Sequence, residues 1–397
     1  MRAHAFALPF TFFRQQPAEV LAELAEAGFT GVNLAFNYHA SRDFLLRQGA
    51  QLEYLNDGFH YYSPDLSNYP KNSLLPGPSD HLADNSMVES VIAAATSREM
   101  SVDAWAVFAH NSALGKSEPS ATVTNALGNN FLSELCPANP RFRNYALGLV
   151  TDLCSRGVNS IAMESLHWHG ARHGEHHERF FMELSSTSEF LLSLCFCQPC
   201  ITNFSQNGGD ALALQTKVVA ALQPVLTESD PWLDNTVSKD FLAEILGIQV
   251  LDYLSAREQN LANLYNQIFQ TASEHGVGIN YVDQSTLLDL DSKTPLDLSW
   301  LIGIDPDLIS KSVSAFQPLV YRKTAGDSAA IIDHYKKKLT CEVFAILRPT
   351  FPDNNDAKSL LAKVAAMKES GVGAIDFYLL DTWRPRDLQW VAAALKH

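Results

Sequence analysis

Along the chain, two spacings of apolar residues take turns. Short runs of aliphatic, β-branched or aromatic residues are followed by longer stretches in which apolar positions recur every three or four residues, the marks of strand and amphipathic helix. The first pair is AFALPFTF at 5–12 and PAEVLAELAEAG at 17–28, with Pro opening the helical stretch and Gly just past its end. GVNLAF at 31–36 follows after a very short loop, so these two strands should lie parallel, joined by a right-handed crossover. The same alternation predicts strands at 102–109, 158–163, 278–283, 315–321, 341–347 and 374–380. Helical spacing appears near 84–99, 139–157, 210–226, 238–274, 297–313, 327–339, 356–371 and 385–395. Eight strands, each followed by helix, predict an α/β fold, a single (β/α)8 TIM barrel. The competing open, doubly wound sheet lacks its Gly-rich phosphate fingerprint after the first strand. Long βα-loop insertions are expected at about 37–83, 112–138 and 165–236.

Composition narrows the partners. The 397 residues are 46% hydrophobic, enough for a large core, and the net charge of −15 leaves no basic stripe for a nucleic-acid backbone. No run of 18 apolar residues is present, so no membrane span is expected. The N-terminal MRAHAFALPFTFF lacks a long apolar region and a small-residue cleavage site, which predicts no signal peptide and a cytoplasmic protein. Six cysteines in so long a chain are not a disulfide framework, and three fall within Cys195, Cys197 and Cys200, where metal binding is the better reading. Homo-oligomerisation stays open.

Candidate chemistry gathers where predicted strands end, because parallel barrels present their active groups there. Glu164 ends the fourth strand and opens a loop carrying His167, His169, His173, His176 and His177. His173 and His177 stand four apart, a chelating spacing if that loop is helical. Asp283 and Asp381 end the fifth and eighth strands, and with Glu164 they are the candidate catalytic carboxylates. Asp381 has a bland alternative, an ion pair with Arg384 or Arg386. Candidate substrate contacts are Asn37 and His39 after the second strand, His110 and Asn111 after the third, His167 and His169, then Tyr321, Arg348 and Trp383. Phe59, Tyr61, Tyr62 and Tyr69 add aromatic character to the first long loop. Trp168 is a candidate stacking platform, and Trp105 suits the core better. Aromatic faces beside amides and imidazoles suit a sugar, which offers both C–H faces and hydroxyls.

Cys136 heads the phrase CPANPRFRNY, and the C-x-C-x2-C group lies downstream of a strand ending in Glu. Over about 130–205 this pattern resembles the zinc-bearing β-galactosidases of glycoside hydrolase family 42. The resemblance implies a structural zinc on Cys136, Cys195, Cys197 and Cys200, with Cys154 and Cys341 buried and inert. It also implies a glycosidase whose acid/base Glu corresponds to Glu164. The sequence departs from the family at two points: Met163 stands where an Asn precedes that Glu, and strand seven ends in Arg348 rather than the nucleophilic Glu. The chain ends with the barrel, so the family's later domains are expected to be absent. The expectation is a glycoside hydrolase acting on a glycosidic bond of an oligosaccharide or glycoside. Two alternatives stay open, a metal-dependent sugar isomerase or epimerase and a non-catalytic sugar-binding barrel.

Overall fold

A computed structural model describes residues 1–47, 49–78, 85–173, 177–288 and 297–397. Eight parallel strands close into a barrel: β1 (His4–Ala7), β2 (Gly31–Ala35), β3 (Ser101–Val107), β4 (Ser160–Glu164), β5 (Gly278–Asp283), β6 (Ala315–Pro318), β7 (Glu342–Leu347) and β8 (Ala374–Phe377). Each pairs with its neighbours in chain order, and β1 pairs with β8 through Ala5 and Phe377. The expected (β/α)8 barrel is the fold. Among the described residues, no helix is long and apolar enough to cross a membrane.

The first strand is shorter than its apolar run suggests. The chain turns helical over Pro9–Arg14, because Pro9 has no N–H for the ladder and its fixed φ suits the first helical position. Pro318 ends β6 three residues before the predicted limit for the same lack of a donor. The long helical stretch at 238–274 is two helices, Lys239–Leu246 and Gln249–Glu274, parted at Gly247, whose φ of +87° a side chain would resist. The insertions hold structure of their own. A hairpin pairs Ser41–Leu45 with Gln51–Leu55, and a second pairs Thr122–Thr124 with Asn130–Leu135. Helices Ser186–Ser193, Gln198–Gln206 and Ala211–Thr227 build a separate apolar cluster around Leu191, Leu214 and Leu222.

Strand parity decides which side chains fill the barrel, since successive residues point to opposite faces. At the N-terminal end the interior is polar. Arg2 Nη2 donates to Asp103 Oδ2 at 2.6 Å and Asp376 Oδ2 at 3.3 Å, and Gln317 Nε2 reaches Asp376 Oδ2 at 2.9 Å. Above it Phe6, Trp105, Ala162, Val282 and Ile346 form an apolar layer. Ile161, Met163, Tyr281 and Phe377 take the other parity and pack outward against the helices. This seats Glu164, two residues beyond Ala162, inside the barrel's C-terminal mouth.

Candidate functional site

Glu164 ends β4 at the barrel's C-terminal mouth. Its side chain is buried, and both oxygens are held: Trp105 Nε1 donates to Oε2 at 2.6 Å and Gln284 Nε2 to Oε1 at 2.8 Å. Its backbone carbonyl accepts from Phe108 N at 3.0 Å, and Ser165 then takes a left-handed φ of +57° as the chain leaves the strand. Burial pushes the Glu164 carboxyl above the usual range, against the opposing pulls of His39, Trp105 and Gln284. Around it stand three tyrosines. Tyr38 OH and Tyr378 OH are 3.0 Å apart, and Tyr321 lies beneath the Arg348 guanidinium at 4.1 Å. Burial raises all three phenols, and the Glu164 carboxylate adds to each. Asp43, on the first hairpin, also raises Tyr38 and Tyr378, by less than Glu164 does.

Several expected residues do meet here. Tyr321 and Arg348 face the mouth, with Arg348 also gripping Asp353 through two bonds of 2.8 and 3.0 Å. His39 lies against Tyr38 with ring centroids 3.9 Å apart, and His110, His167 and His169 cluster nearby.

Others are placed elsewhere. Asp283 has the wrong parity: it points into the strand–helix layer, accepting from Tyr335 OH at 2.6 Å and Ser285 N at 2.9 Å. The neighbouring Gln284, which composition did not single out, takes the interior position. Counting alternate residues from Val282 was the signal for it. Asp381 caps the turn into the helix Pro9–Arg14, accepting from Leu8 N at 2.7 Å and Thr11 Oγ1 at 2.6 Å. Arg384 and Arg386 pair with Asp387 instead. Asn37 clamps β3 with its amide, donating to Val107 O at 2.8 Å and accepting from Val107 N at 2.9 Å. Asn111 caps the helix Ser112–Ser117 through Leu114 N. Trp383 packs on Phe29 in the outer core, and Trp168 is buried under Arg257, so neither offers a stacking face. Tyr61, Tyr62 and Tyr69 are likewise buried and hold the first long loop down. His176 lies outside the described residues, as do the other two residues between His173 and His177.

The four expected cysteines do come together. Cys136 follows the second hairpin, and Cys197 caps the helix that contains Cys200. Sγ of Cys136 lies 3.5 Å from those of Cys197 and Cys200 and 3.8 Å from that of Cys195. All four are buried and free, with their sulfurs within 4.8 Å of one another. A tetrahedral ion with metal–sulfur bonds of about 2.3 Å separates its sulfurs by roughly 3.8 Å, so the set fits such an ion. Burial lowers the Arg257 guanidinium against the opposing pulls of Tyr253 and of the Cys200 and Cys195 sulfurs, and its Nε and Nη1 lack hydrogen-bond partners. That suits the net negative charge a four-thiolate site would carry. Cys154 and Cys341 stand apart from this group, and burial raises both thiols.

Fold and site together define a parallel barrel whose open end presents a buried carboxylate among tyrosines, with a cluster of four buried cysteines on the loops. Solved structures similar to the chain are glycoside hydrolases. A β-galactosidase from the psychrophilic Marinomonas ef1 shares 10% identity at a TM-score of 0.59, over 100% of this chain and 59% of that one. A family 42 β-galactosidase from G. stearothermophilus shares 10% at 0.58, over 99% of this chain and 56% of that one. An α-L-fucosidase from Paenibacillus thiaminolyticus shares 7% at 0.57, over 100% of this chain and 49% of that one. The chain thus spans half to three fifths of these proteins, and at such identities the likeness establishes the barrel fold alone. No family model and no curated protein matches the sequence.

Proposed function

We propose that the chain is a glycoside hydrolase acting on an oligosaccharide or glycoside, with Glu164 as the proton donor to the leaving oxygen. The observation that carries this reading is the Glu164 carboxyl itself. It sits inside the mouth at the end of β4, oriented by Trp105 and Gln284, and burial keeps it protonated to higher pH than a solvated carboxyl. A general acid works best when its pKa approaches the working pH, which is what desolvation does here. Glycoside hydrolysis ordinarily employs a second carboxylate. Neither Asp283 nor Asp381 serves, since both are engaged outside the mouth. Asp43 is our candidate for that role, as its charge and that of Glu164 act on the same two tyrosines. Of the three tyrosines, the partly exposed Tyr378 offers its hydroxyl to a sugar.

Cys136, Cys195, Cys197 and Cys200 are proposed to hold one structural zinc, fastening the loop after β4 to the second hairpin. A panel of aryl glycosides of differing sugar and anomeric configuration tests the activity. Hydrolysis of at least one is expected, abolished in Asp43→Asn and reduced in Glu164→Gln most where the leaving group is poor; a panel without turnover would contradict the reading. One observation favours metal-assisted sugar chemistry as a second reading, the cluster of imidazoles described next.

A further inference from the structure

Beside Glu164 five imidazoles form a continuous cluster. Ring centroids lie 5.2 Å apart for His39 and His110, 4.7 Å for His110 and His173, 5.7 Å for His110 and His169, and 4.5 Å for both His169–His173 and His167–His169. His110, His167 and His169 are 7%, 2% and 6% exposed. Neither ring nitrogen of His110 or His169 has a hydrogen-bond partner, nor has Nδ1 of His167. Buried polar atoms are nearly always satisfied, so five such nitrogens in one place call for a partner that the described residues do not supply.

Two buried carboxylates adjoin them. Asp57 Oδ2 is 3.9 Å from His110 Nε2 while its Oδ1 has no partner. Glu134, bridged to His110 through the backbone, has neither oxygen in a well-formed hydrogen bond.

We propose that this cluster is a second metal site, which takes a divalent transition ion of the zinc, cobalt or nickel class on His110, His169 and His173, with Asp57 as the nearest carboxylate ligand. Imidazole with carboxylate is the donor set such ions prefer, whereas calcium and magnesium take oxygen. Three protein nitrogens would leave coordination positions open toward the mouth, the arrangement of sites that bind substrate oxygens rather than closed structural ones. Among the described residues, the thiols are the group of three or more whose ligand atoms all lie within 4.8 Å. His169 and His173 stack face to face, 5° from parallel, so an ion must turn their nitrogens inward, and it binds more weakly than at the thiols. The proposal does not depend on the glycosidase reading, and its test uses no activity.

The experiment is a cobalt titration of the full chain, carrying no polyhistidine tag and stripped of metal by dialysis, followed by absorption and calorimetry. Two equivalents are expected: one with thiolate-to-cobalt charge transfer, and a weaker one with d–d bands only. His169→Gln and His110→Gln should weaken the second by at least ~10-fold, the lower end of what even an outer-shell change costs a metal site, and leave the first intact. Retention of the thiolate band shows that each variant is folded. His173→Gln, at the exposed edge of the cluster, gives the same reading without disturbing buried packing. A single equivalent in the wild type, or a second that survives all three substitutions, overturns the proposal.

Discussion

The hold on Glu164 can be tested without any substrate, by removing one of its two donors. Gln284→Leu keeps most of the side-chain volume and deletes the N–H that reaches Oε1 at 2.8 Å. A hydrogen bond to a charged group contributes about 1.5–3 kcal/mol. At 1.36 kcal/mol per pKa unit, its loss should raise the Glu164 carboxyl by a further ~1–2 pH units. The sign follows from where the group titrates. Burial already sets the folded value above the unfolded one, so the folded state holds the proton more tightly. Stability is therefore fullest below the ordinary carboxyl range and falls as pH rises through the folded value. In Gln284→Leu that fall extends to higher pH. Its deficit relative to wild type should be small at pH ~4 and grow by about 1.5–3 kcal/mol once both proteins have ionised. Urea midpoints measured across pH ~4 to 9, with Glu164→Gln as a second background, read this directly. A deficit that stays flat with pH, or grows equally when residue 164 is Gln, would refute the reasoning.

Two further outcomes concern the scaffold. Elemental analysis of the wild type should find one tightly held zinc per chain, and Cys197→Ser should lose it; zinc unchanged by that substitution contradicts the four-thiol site. Asp381 is pushed up to about 6 by burial, against its cap bonds. With an unfolded value near 3.9, up to ~3 kcal/mol of stability should disappear as pH rises from about 4 past 6, and Asp381→Asn should flatten that dependence. An unchanged pH profile in Asp381→Asn would show that another group is responsible.

How much of this was legible in the sequence follows from what each pattern encodes. Apolar periodicity records burial, and so it revealed eight strand–helix units and placed Glu164 at the end of β4. It did not say where a strand yields to helix when the apolar run continues, as at Pro9, because Phe10 and Phe12 stay buried beyond the turn into helix. Residue type alone favoured Asp283 over Gln284, yet the two-residue repeat puts the carboxylate outside and the amide inside. Asp381 and Asn37 look like rim groups in sequence, and their partners, Thr11 and Val107, are hundreds or dozens of positions away. The cysteine spacing was informative because a closed thiolate site demands a particular geometry. The histidines were visible as a crowded loop, but His39 and His110 join them only through the closure of the barrel mouth.

The central claim is that Glu164 delivers a proton to the departing oxygen. The measurement that meets it most directly is the turnover of Glu164→Gln beside wild type on aryl glycosides spanning good and poor leaving groups. The account predicts a loss of at least ~10²-fold where the leaving alcohol needs protonation, shrinking as the leaving group becomes a more stable anion. Near-native turnover, or a loss of the same size for every leaving group, would contradict it.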